Sequence, residues 1–133
     1  MKRKIFVAAA AVGLLAGCGL SSREKEMVGD YFISEISDIE PLYELHDDGT
    51  SVMRAIRPEV LTCWVEGRWH IDGDSLILDN DLSTVGYEGD RSLMGEVATR
   101  SAYHITDFNG TSLTLRKDGI DYVYHRRVSR ESE

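Results

Sequence analysis

The chain has 133 residues, with 23 acidic against 15 basic side chains and a formal charge of −8. That length suits one domain with a genuine core, and the acidity argues against nucleic acid or anionic lipid surfaces, which require a basic face. Two cysteines, Cys18 and Cys63, are too few for a disulfide framework.

The amino terminus reads as a secretory signal. Lys2, Arg3 and Lys4 form a positive region, Ile5 to Ala16 is uncharged and apolar, and small residues lead into Cys18. A single membrane-spanning helix is the alternative, but the uncharged run from Ile5 to Leu20 is only 16 residues, short of the roughly 20 needed. Gly13, Gly17 and Gly19 also weaken a helix there. Leu15-Ala16-Gly17-Cys18 resembles the lipobox of bacterial lipoproteins. That resemblance implies cleavage after Gly17 and acylation of Cys18 with two or three fatty chains such as palmitate, a stable anchor. Removing residues 1–17 would leave 12 basic against 23 acidic residues, a charge of −11.

Residues 18–27 are polar and charged without an apolar period, and are expected to be a lipidated tether. Residues 28–128 form the predicted domain, and 129–133 a short tail. From Val28 onward, apolar and polar residues alternate between turn clusters. Strands are expected at Val28 to Ile36, Leu42 to His46, Ser51 to Arg57 and Leu61 to Ile71. Others are expected at Leu76 to Leu78, Leu93 to Ile105, Thr111 to Arg116 and Ile120 to Val128. The clearest is Leu61 to Ile71, whose odd positions are apolar or small and whose even positions are largely polar, the mark of a half-buried strand. Gly67 in its middle would permit a sharp bend. Asp47-Asp48-Gly49-Thr50, Asp72-Gly73-Asp74, Asn109-Gly110 and Lys117-Asp118-Gly119 supply the turns. Residues 79–90 lack alternation and are expected to be the one long loop, of the kind that is often functional.

About eight strands joined by short turns predict an all-β fold, an antiparallel up-and-down barrel. Cys63 lies in an apolar pattern and is expected to be a buried small hydrophobe, with a reactive thiol as the alternative. Asp79, Asp81, Ser83 and Asp90 fit part of a calcium-loop template, but Thr84 stands where the turn demands glycine. These carboxylates are therefore expected to form turns. No metal or cofactor spacing and no catalytic motif is present, so no enzyme activity is expected.

Gly29-Asp30-Tyr31 resembles the opening of lipocalin and related calycin barrels. Glu66 to Leu76, Leu113-Thr114-Leu115 and Tyr122 to Arg126 resemble later segments of bacterial lipocalin-like lipoproteins. The resemblance implies that an arginine after the last strand, Arg126 or Arg127, packs over Tyr31 by a cation–π contact. A small barrel either fills with side chains or holds one small ligand. Tyr31, Trp69, Tyr103 and Tyr122 are the candidate lining residues, since aromatic rings offer apolar faces with polar handles. A dry, filled core is the plain alternative.

The function expected is a membrane-anchored envelope lipoprotein that binds a small apolar molecule. The alternative is an interaction module, such as an inhibitor of a basic lysozyme-like enzyme, toward which the acidic charge would steer. Gly19 stands where an inner-membrane retention signal would place aspartate. The expected location is therefore the outer membrane, facing the periplasm.

Overall fold

The computed structural model describes residues 19–128. The signal-like segment, Cys18 and the tail at 129–133 lie outside the described residues. A short helix, α1 (Ser22–Met27), precedes β1 (Gly29–Phe32), β2 (Tyr43–Leu45), β3 (Thr50–Arg57) and β4 (Leu61–Asp72). There follow β5 (Ser75–Gly89), β6 (Arg100–Phe108), β7 (Ser112–Lys117) and β8 (Ile120–Arg127). Each strand pairs antiparallel with the next, and β1 closes onto β8 through Tyr31 opposite Arg126, giving an eight-stranded up-and-down barrel. Closure leaves no edge strand exposed to edge-to-edge association.

The alternation that predicts β4 is the one that fills the barrel. Leu61, Val65 and Trp69 are buried, while Glu66 and Arg68 on the other face are exposed. Leu76 and Leu78 of β5, Leu113 and Leu115 of β7, and Tyr124 of β8 complete the packed interior. Gly67 is required where it stands. A Cβ there would collide with the Asp79 carbonyl oxygen on β5, so the two backbones approach as only glycine permits.

Three boundaries differ from expectation. Residues 79–90 are not a loop, because β5 runs on to Gly89 in register with β4. A bulge shifts the register between Trp64 and Glu66, and Ser83 and Thr84 turn back on Asp81 there. That irregularity is what erases the period of two. Gly86 then passes beneath the Trp64 indole, where a Cβ would stand 2.5 Å from the ring. The long irregular connection instead spans 90–99, including a single 3-10 turn at Arg91–Leu93, so β6 begins at Arg100 and not near Leu93. The first strand likewise ends at Phe32, and 33–42 wraps to β2.

The last four residues of the expected tether and the two before them are α1. Ser21 caps the helix by accepting from the Glu24 amide, and the Glu24 carboxylate accepts from the Ser21 amide. This reciprocal capping box starts a helix even in a polar segment. Glu24 also accepts a 2.7 Å hydrogen bond from the Ile71 amide at the end of β4, and Met27 is buried in the core. α1 therefore plugs one end of the barrel, with the turns at 46–50, 72–75 and 108–112 around it. The other end, ringed by 33–42, 58–60, 90–99 and 118–119, is the mouth.

Candidate functional site

The interior is divided. At the plugged end every large side chain is packed and its polar atom engaged. The Tyr31 hydroxyl donates to the Met27 carbonyl at 2.6 Å, and the Trp69 indole donates to the His46 carbonyl at 3.0 Å. Arg126 projects inward beside Tyr31, but its guanidinium donates to the Val28 and Gly110 carbonyls. It lies 5.9 Å over Phe108, while Arg127 stacks at 4.0 Å on Phe32. The expected packing of an arginine over Tyr31 is thus replaced: Tyr31 spends its hydroxyl on the helix end, and the two arginines lie over Phe108 and Phe32 instead.

Toward the mouth the packing opens into a hollow of about 370 Å³. Its walls are Tyr43 of β2, Met53 and Ala55 of β3, Cys63 and Val65 of β4, Ser101 and Tyr103 of β6, and Lys117 of β7. The connection at 95–98 forms one side. The volume lies at the lower end of the ~300–1,000 Å³ typical of small-molecule sites.

Lys117 is the electrostatic centre of this hollow. It continues the inward alternation of Leu113 and Leu115, so β7 sends an ammonium where a third leucine would fit. Its Nζ donates to Tyr43 Oη at 3.0 Å and lies 4.6 Å from the Tyr103 ring centre and 4.9 Å from that of Tyr122. Tyr43 and Tyr124 complete the cage at 5.5 and 5.7 Å. The electron-rich ring faces favour the cation, yet burial still pulls the lysine below its ordinary value. No carboxylate stands within ion-pair distance of Nζ among the described residues. Burial and the adjoining Tyr124 and Tyr103 push the Tyr43 phenol well above its usual range, so it stays a neutral donor.

Of the four aromatic residues expected to line a site, Tyr103 and Tyr122 meet at this cage. Tyr31 and Trp69 belong to the plugged end and fill core. Lys117, Tyr43 and Tyr124 are not among the expected lining residues, and Lys117 escapes a search for aromatic side chains altogether. Their signal is positional, since Lys117 falls on the apolar parity of β7 and Tyr124 on that of β8. Cys63 is half-buried on the cavity wall rather than enclosed, its thiol 3.8 Å from the Ala55 carbonyl.

The acidic residues considered for calcium are engaged singly. Asp79 pairs with Arg100 at 2.7 Å, Asp81 accepts from Ser83, and Asp90 accepts from Ser92. Among the described residues no group of three His, Cys, Asp or Glu side chains is placed to hold a metal. A separate outer cluster joins Glu44 to His46 and Arg54. Burial and the nearby Glu44 raise Asp30 beside it.

No protein-family model and no curated protein sequence matches the chain. Among solved structures it is similar to a lipocalin-like protein from Bacteroides uniformis, with 10% identity and a TM-score of 0.43, covering 77% of this chain and 99% of that one. The barrel itself is established by the closed strand order of this chain.

Proposed function

We propose that this protein is a lipid-anchored envelope barrel that holds one small, mainly apolar molecule in its mouth and performs no catalysis. The observation that carries the reading is the divided interior. One end is packed solid and sealed by α1, while the other keeps a hollow of about 370 Å³ walled by Met53, Val65 and tyrosine rings. A barrel needed only as a scaffold gains stability by filling such a space.

The anchor rests on Lys2–Lys4, the apolar run and the lipobox-like Leu15–Cys18. Gly19 and Leu20 line a surface pocket together with Asp48, Gly49 and Trp69 at the plugged end. A lipid on Cys18 would therefore hold that end toward the membrane and turn the mouth away from it. The outer membrane, periplasmic face, is the proposed location.

Native mass spectrometry of the protein extracted from its own envelope tests the reading. Expected is an added small-molecule mass on an acylated chain that begins at Cys18. An acylated chain with no small-molecule mass but bound to a basic protein would instead favour the interaction module, which the charge of −11 would serve. Cys18→Ala should leave the protein unacylated and out of the membrane fraction.

A further inference from the structure

Lys117 has a chemistry that an apolar ligand does not use. An ammonium carries three donors, and among the described residues its one hydrogen-bond partner is Tyr43 Oη. It is half-buried, has no counter-ion there, and borders the hollow. The carboxylate on the cavity wall, Glu96, sits on the exposed 90–99 connection and makes no ion pair with it. Arg54, the other cation of the wall, is already committed to Glu44 and the Pro41 carbonyl.

We infer that the mouth is a receptor for an amphiphile with a single oxyanion head, seated on the Lys117 ammonium and the Tyr43 hydroxyl. The tyrosine cage fixes the ammonium before binding, so little side-chain freedom is lost when the anion arrives. The anion supplies the counter-charge that the protein withholds, through short charge-assisted hydrogen bonds. The apolar remainder packs on Met53, Val65 and Val97, which line the same space. The volume suits a short chain. This inference rests on the proposal that the mouth holds a small molecule, and it names the chemistry that would be recognised.

The test compares octanoate, octanol and octylamine by isothermal titration with the folded barrel, for wild type, Lys117→Met and Lys117→Arg. Expected for wild type is octanoate tighter than octanol by about ten- to a hundred-fold, with octylamine the weakest. Lys117→Met should bring the octanoate-to-octanol affinity ratio down to about one, and Lys117→Arg should restore part of the preference. Equal binding of octanoate and octanol by wild type overturns the oxyanion receptor and leaves the apolar site standing. An octanoate preference that survives in Lys117→Met places the anion elsewhere and also overturns it. Binding of none of the three removes both readings together. The wild-type comparison needs no variant, so a folding defect in Lys117→Met cannot obscure the result.

Discussion

Lys117 and Tyr43 meet across the barrel mouth, the lysine Nζ donating to the tyrosine Oη at 3.0 Å and tying β7 to β2. The contact places a cation where the barrel would otherwise continue as apolar core. Burial without a counter-ion among the described residues costs stability, and the four rings offset part of it. Lys117→Met is therefore expected to leave stability unchanged or raise it by about 1 kcal/mol in urea unfolding. Because burial lowers the lysine below its ordinary 10.5, the folded chain releases this proton before the unfolded chain does. Wild-type stability should accordingly rise relative to Lys117→Met as pH climbs toward that value. A difference that is flat with pH would show the ammonium to be fully solvated.

Buried phenols act in the opposite sense at higher pH. Burial pushes Tyr124 up to about 12 and raises Tyr31 and Tyr43 above the ordinary 10. Unfolded tyrosines ionise from about pH 10, while these three stay neutral in the barrel. Stability should be intact below pH 10 and fall above it, by about 1.4 kcal/mol per pH unit for each such phenol. Ultraviolet titration should show their tyrosinate absorbance arriving together with loss of the barrel.

Glu24 links α1 to the barrel. Burial alone would raise its carboxyl, but the Ile71 and Ser21 amides donate to it and hold it below the usual carboxylate range. Glu24→Gln should cost about 1–2 kcal/mol at neutral pH, and Ser21→Ala about 1 kcal/mol through loss of the cap. The depressed carboxyl contributes stability above its unfolded value of 4.5. That contribution disappears as pH falls through the folded value. Denaturant titrations near pH 7 and pH 3 should therefore show the wild type and Glu24→Gln converging in acid.

Gly67 and Gly86 meet different obstacles. At Gly67 the added methyl would strike the Asp79 backbone, and at Gly86 the Trp64 indole. Gly67→Ala should cost about 3 kcal/mol, at the upper end for overpacking, and Gly86→Ala about 1–2 kcal/mol, since a side chain yields more easily than a strand. Paired thermal melts check the order, and equal costs would contradict it.

The barrel was legible wherever alternation was clean. Leu61 to Ile71 placed β4 and its inward face, and the glycine-bearing turns placed the hairpins. At 79–90 the same test failed, because the bulge opposite Trp64 and Glu66 breaks the period that the test reads. Helix α1 reads as tether in the sequence, because six residues give too little apolar period to outweigh a polar composition. Of the expected lining, Tyr103 borders the hollow and Tyr122 reaches only the Lys117 ammonium, for a physical reason. Parity tells which face a residue takes and nothing of its depth along the barrel axis. Tyr31 and Tyr103 share the inward face, but only Tyr103 lies near the mouth.

Heteronuclear NMR titration of the folded barrel with short-chain amphiphiles tests the central claim most directly. The mouth is expected to respond as a site: saturable shifts at the methyls of Met53, Val65, Val97 and Ala98, with Leu45, Leu76 and Leu113 at rest. Shifts confined to the outer face, or none at the mouth with any amphiphile, would contradict it and leave a hollow that holds nothing.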